Sequence, residues 1–211
     1  MAARPPAGWT VASPAGSSLA GWVAIIFGLV SLVELPVVVQ SMPTPPIWTI
    51  TLDSLRPLAY AYSFWVLKSF LDRRIVSVHA RAAIWVLIVV GIIQVPIQGA
   101  PLWSSLFGAT VAFPALSFPI SVLYGLGLIW LGVALLPRDF YGFTRPLGVL
   151  LILAGLYPFV SFVVAGPIMS ALITSPLGPA GAIYVVFGFG TALVAAAMAV
   201  LGLFLLRAAR S

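Results

Sequence analysis

The sequence predicts an all-α, polytopic membrane helix bundle of six transmembrane helices with both termini cytoplasmic. Three observations carry that expectation. Of the 211 residues, 62% are hydrophobic and only 7% are charged, whereas soluble domains carry roughly 25% charged residues, so too few charges are present to coat a surface facing water. Two intervals, Ala82 to Pro137 and Pro146 to Leu206, contain no Asp, Glu, Lys or Arg over 56 and 61 residues. A bilayer-spanning helix needs only about 20 residues, so each interval holds two spans. Finally, the basic residues fall in alternate connections, as the membrane-crossing pattern requires.

Residues 1–18, rich in Pro, Ala, Gly and Ser with Arg4 as the one charge, read as a disordered tail. The first span is expected from about Leu19 to Gln40. A secretory signal peptide would set a basic region directly before an apolar core of about 7–15 residues; here the core is longer and Arg4 is distant, so a retained helix is expected. The second span, about Leu52 to Leu71, is the least apolar, with only Pro57 to Leu67 free of charge. Arg56 and Lys68 can still extend their charged heads to the two interfaces while their stems stay in apolar surroundings. Spans three to six follow at about Ala82–Gln98, Phe118–Leu136, Pro146–Ala165 and Gly181–Leu206, the last long enough to tilt. Residues 19–206 thus form one transmembrane domain, followed by a short basic tail, 207–211.

Orientation comes from the connections. Lys68, Arg73, Arg74 and Arg81 lie between spans two and three, Arg138 and Arg145 between four and five, and Arg207 and Arg210 after span six; with Arg4 these are nine of the ten basic residues. Connections 41–51, 99–117 and 166–180 contain none. The positive-inside bias assigns the basic side, and both termini with it, to the cytoplasmic face of the plasma membrane. Deleting the second span would put basic loops on opposite sides. Trp22, Trp85 and Trp130 near inner helix ends, and Trp48 and Trp103 near outer ones, fit aromatic belts or simply supply apolar bulk. The uncharged outer connections are expected to lie in the interface or fold over the bundle, with a re-entrant segment at Pro101 to Pro114 as an alternative.

Composition also removes function classes. The absence of cysteine excludes disulfide frameworks, thiolate catalysis and Cys-based metal sites, and a lone His79 excludes bis-His haem ligation within one chain. No phosphate-binding Gly loop, HExxH or nucleophile elbow is present, so no cofactor or metal is expected. No nucleophile–base pair suggests an enzyme. The net charge of +6 reads as orientation charge, and nucleic acid is not an expected partner. The expected surroundings are the lipid bilayer.

The candidate site is a polar layer in the outer third of the bundle, because ionisable groups within a membrane are costly and face the bundle interior or a water-filled cavity. At about 1.5 Å rise per residue, Glu34 lies ~9 Å and Arg56 ~6 Å below the outer surface, within reach of each other. Gln94 and Gln98 on span three, Tyr124 and Ser121 on span four, Tyr157 and Ser161 on span five and Tyr184 on span six share that zone. Pro36, Pro96 and Pro158 fall in it too, where a helical proline removes a hydrogen bond and loosens the bundle. On one reading Glu34, Arg56, Gln94, Gln98, Tyr124, Tyr157 and Tyr184 line an outward-facing cavity for a small polar ligand. On the other, Glu34 and Arg56 are a structural pair and the remaining groups tie helices together. Gly125, Gly127, Gly132, Gly148, Gly155, Gly188, Ala192, Ala196 and Ala199 permit close helix approach, within the chain or against a second copy or another membrane protein.

The stretch Tyr124-Gly-Leu-Gly-Leu-Ile-Trp-Leu-Gly132, then Leu136-Pro-Arg138 and Arg145-Pro-Leu-Gly-Val-Leu-Leu-Ile-Leu-Ala-Gly-Leu-Tyr157, resembles a family of small bacterial six-span membrane proteins of unknown function. The match covers residues 124–157. It implies architecture, with no activity or catalytic residue attached. Two function classes follow from the chain: small-ligand binding or transport through the outer polar layer, or a non-catalytic accessory role in which a helix face packs against a partner.

Overall fold

A computed structural model describes residues 13–40, 46–74, 77–100, 114–137, 140–173 and 178–210. These form six long helices: α1 (Pro14–Gln40), α2 (Ile47–Arg74), α3 (Val78–Gln98), α4 (Pro114–Leu135), α5 (Thr144–Ile173) and α6 (Gly178–Ala209). The fold is all-α. Five of the helices carry segments long and apolar enough to cross a membrane: Pro14–Val37, Val78–Gln98, Leu116–Leu135, Thr144–Ser161 and Phe187–Ala209. The exception is α2, which holds Asp53, Arg56, Lys68, Asp72, Arg73 and Arg74. Residues 1–12, most of the expected tail, lie outside the described residues, as do Arg138 and the expected re-entrant segment apart from its final residue, Pro114.

Local sequence explains where helices begin. Ahead of the expected Leu19, α1 starts at Pro14, because Ser13 Oγ accepts from the Gly16 amide at 3.0 Å while proline occupies the first helical position, where no amide is needed. Ser77 caps α3 in the same way, accepting from the Ala80 amide at 3.3 Å. Along α1, Trp22, Ile26, Leu29 and Val33 form an exposed apolar stripe at helical spacing, the reverse of a water-facing helix and suited to lipid.

Each helix packs against its neighbours in sequence, and α6 returns onto α1, closing a six-membered ring; α2 also touches α6. Two seams of this ring share one device. Gly21 and Gly28 of α1 face Gly202 and Ala195 of α6, and Gly125 and Gly132 of α4 face Gly155 and Gly148 of α5. In both seams the small residues are seven apart and run antiparallel, the spacing that keeps one stripe facing a partner. The backbones are close: a Cβ added at Gly132 would lie 2.5 Å from the Gly148 carbonyl oxygen, and one at Gly148 would lie 2.8 Å from that of Gly132.

The end of the ring that carries residues 13 and 210 is the apolar core. Phe64, Leu67, Ile84, Leu87, Leu131, Leu135, Leu147, Leu151, Met198, Leu201, Phe204 and Leu205 are fully buried there. The α4–α5 turn closes it. Thr144 Oγ1 accepts from the Phe140 amide at 2.7 Å, and Tyr141 takes a left-handed backbone with φ 56°, unusual for a bulky residue. Its ring packs against Phe70 and Phe204 at centroid distances of 6.2 and 6.1 Å, and Phe70 meets Phe204 edge to face at 4.9 Å.

At this same end an ionic brace joins α2 to α3. Lys68 Nζ donates to Asp72 Oδ2 at 2.6 Å and Arg81 Nε donates to Asp72 Oδ1 at 2.8 Å. Lys68, only 6% exposed, does not extend to water as its position suggests; its ammonium is held by Asp72 and lies 5.5 Å from the Trp85 ring centre. Burial raises the Asp72 carboxyl, and the hydrogen bonds and charges of Lys68 and Arg81 outweigh it, leaving the group below its ordinary value. His79 is exposed on the first turn of α3.

Candidate polar site

Toward the opposite end the core changes character. Glu34 on α1 is 3% exposed, and its Oε2 accepts from Arg56 Nη2 of α2. Arg56 also holds Asp53 through Nη1 at 2.9 Å. Asp53, Arg56 and Tyr60 follow spacings of three and four residues, which places them on one face of α2. The Tyr60 hydroxyl lies 3.4 Å from Ser31 Oγ of α1, and Ser31 donates back to the Phe27 carbonyl at 2.8 Å. Tyr60 is an electrostatic neighbour of Glu34, Asp53 and Arg56. Tyr124, from α4, is in turn an electrostatic neighbour of Tyr60, although α4 packs against α3 and α5 rather than α2. Tyr60 lies in the buried core and Tyr124 packs against that core.

Three atoms of this group are buried without a hydrogen-bond partner among the described residues: Glu34 Oε1, Arg56 Nε and the Tyr124 hydroxyl. Buried polar atoms in folded proteins are nearly always paired, and leaving one unpaired costs about 1–3 kcal/mol, more when it is charged. With every ionisable group charged, the cluster also carries two carboxylates to one guanidinium, a formal −1. Pro57 follows Arg56 inside α2, so the carbonyl of Asp53 loses its usual intrahelical donor.

The other expected site residues divide. Tyr184 Oη donates to the Pro36 carbonyl at 3.3 Å, tying α6 to α1 where the proline interrupts the helical ladder. Tyr157 is half-buried; its ring covers Gly190 of α6 and stands 6.4 Å from that of Phe189. Gln94 is half-buried, and Gln98 is exposed at the end of α3. Glu34 and Arg56 thus form an ion pair, Tyr124 carries a buried hydroxyl on α4, and Tyr157 and Tyr184 pack the α5–α6 and α1–α6 seams. Asp53, Tyr60 and Ser31 join the cluster without having been singled out; the spacing of Asp53, Arg56 and Tyr60 was the signal available for the first and last of the α2 group.

No group of three or more His, Cys, Asp or Glu suited to a metal ion occurs among the described residues. No protein family, curated protein or solved structure matches the chain.

Proposed function

We propose that this chain is a non-catalytic plasma-membrane protein that crosses the bilayer six times with both termini cytoplasmic, and that it binds a small polar ligand from the outer side at the Glu34–Arg56–Tyr124 cluster. The observation that carries the reading is that three buried polar atoms, one each on α1, α2 and α4, have no hydrogen-bond partner among the described residues. A purely structural pair would leave no donor and acceptor open. The sixth span is α2. Its 28 residues reach about 42 Å as a helix, and the two cations within it have carboxylate partners: Arg56 has Glu34 and Asp53, and Lys68 has Asp72. The basic residues of alternate connections supply the orientation. The resemblance at residues 124–157 agrees with six spans and adds no activity.

The native lack of cysteine makes the test direct. Single cysteines at positions 31, 60 and 124, in membranes of known orientation, are expected to react with a membrane-impermeant thiol reagent from the outside, and cysteines at 67, 131 and 201 in the apolar core are expected not to. Protection of all six positions would leave the ion cluster as a brace between α1 and α2 and would remove the binding reading.

A further inference from the structure

We propose that the end of the ring carrying residues 13 and 210 binds the headgroups of anionic lipids through a collar of exposed arginines, Arg81, Arg145, Arg207 and Arg210. This surface lies apart from the Glu34–Arg56 pair and rests on the membrane-crossing reading alone. The aromatic contacts that close this end fix where the four residues sit. Arg81 is held by Asp72, two residues beyond Phe70, whose ring meets those of Phe140, Tyr141 and Phe204. Arg145 follows Thr144, which closes the α4–α5 turn on the Phe140 amide. Arg207 lies one turn beyond Phe204 on α6, and the Arg210 amide donates to its carbonyl at 3.2 Å. Three helices, α3, α5 and α6, thus bring arginine to one end, and all four side chains are exposed.

Residue type and depth then name the partner. The one lysine of the chain, Lys68, is buried against Asp72, so the cations presented here are guanidiniums, whose planar fork matches two phosphate oxygens at once. Among the described residues no carboxylate pairs with Arg145, Arg207 or Arg210. Trp65, Trp85 and Trp130 mark the level of the bilayer surface. They are 42%, 38% and 40% exposed; Trp65 meets Trp85 edge to face at 5.4 Å, and Trp130 stands 6.3 Å from the His79 ring at the start of α3. Exposed tryptophans of membrane helices settle at headgroup level. Arg81 lies four residues beyond Trp85, ~6 Å nearer the helix end, which sets the collar on the phosphate side of that belt. Basic clusters at such a position attract anionic lipid. The other end has no counterpart: connections 41–51, 99–117 and 166–180 contain no Lys or Arg, and Arg56 is held by Glu34 and Asp53.

The test measures thermal unfolding of the full-length protein in neutral detergent micelles doped with dioleoyl phosphatidylglycerol or dioleoyl phosphatidylcholine, or with glycerol 3-phosphate in the buffer. Phosphatidylglycerol is expected to raise the midpoint in a saturable way, phosphatidylcholine to act far less and glycerol 3-phosphate not at all. Raising the ionic strength from about 0.1 to about 1 M shortens the screening length from about 10 to about 3 Å and should erase most of the difference between the two lipids. The variant carrying Arg145→Gln, Arg207→Gln and Arg210→Gln is expected to raise the half-saturating fraction of phosphatidylglycerol roughly fivefold for each charge removed. Should that variant fail to fold, the salt series on the native protein decides. Equal stabilisation by phosphatidylcholine, a response that salt leaves unchanged, stabilisation by glycerol 3-phosphate alone, or an unaltered titration in the folded variant overturns the proposal. Cysteine labelling at 31, 60 and 124 probes a different region, so the lipid collar and the polar site can fail independently.

Discussion

Two ionic clusters, one at each end of α2, use the same residue types to opposite effect. Near the chain termini, one carboxylate, Asp72, is shared by two cations, Lys68 and Arg81, and both of its oxygens accept hydrogen bonds. Toward the far end, one cation, Arg56, is shared by two carboxylates, and Glu34 Oε1 and Arg56 Nε stay open. The first has a formal charge of +1 and is complete; the second has −1 and is incomplete. An ion set built only to hold two helices together tends toward completion, because each buried unpaired group works against folding. The incomplete set is the one that calls for a ligand.

The largest expected effect comes from breaking the far cluster. Arg56→Ala leaves Glu34 buried without a cation and is expected to destabilise the bundle by about 3–5 kcal/mol, read from the unfolding midpoint in detergent. Replacing Glu34 and Arg56 together, as Glu34→Leu with Arg56→Leu, should recover most of that loss, because no charge then stays buried unpaired. If the double variant is as unstable as the single one, the cluster's role lies in packing and its contrast with the Asp72 set dissolves.

The seams should respond to a different term. Gly132→Ala places a methyl 2.5 Å from the Gly148 carbonyl oxygen, forcing α4 and α5 apart at a cost of about 1–3 kcal/mol. Ligand response should survive in the folded fraction, since neither glycine touches the cluster. Lost response at unchanged stability would mean that the seam, rather than the cluster, controls the site.

How much of this was legible depends on whether depth or direction decided the outcome. Glu34 and Arg56 come together at the depth that a fixed rise per residue sets, and depth can be read from a chain whose span ends are known. Tyr157, Tyr184 and Gln98 share that depth yet face a seam, another helix or the surface, because the direction of a side chain around its helix depends on packing. In a helix that is apolar all round, no hydrophobic stripe reveals that direction. Asp53 reads as an end residue when the span starts at Leu52, whereas α2 begins at Ile47 and carries Asp53 inside the helix. The early start of α1 at Pro14 was written in the Ser13–Pro14 pair, a capping signal that hydropathy does not register.

A smaller effect, of opposite sign, separates stability from function. Tyr124→Phe deletes a buried hydroxyl that has no partner among the described residues, so it should leave the free protein equally stable or more stable by up to about 1 kcal/mol, while weakening any ligand response that uses this hydroxyl. A destabilised Tyr124→Phe variant would mean that the hydroxyl is satisfied in the membrane without ligand.

The smallest effect belongs to the complete cluster. Asp72 holds its carboxyl below the ordinary value of 3.8, and a depressed acid contributes stability that is fully present above its unfolded value and disappears as pH falls through its folded one. Lowering the pH from 7 toward 4 should therefore leave the brace intact, with its contribution fading only below about pH 4. Arg81→Gln is expected to cost about 0.2–1 kcal/mol, since both side chains of the Arg81–Asp72 pair are partly exposed and exposed pairs contribute little, and to reduce that acid-dependent part of the unfolding curve while Lys68 keeps its carboxylate. A loss as large as that of Arg56→Ala would make the two clusters equivalent in energy, and completeness would then no longer distinguish a brace from a site.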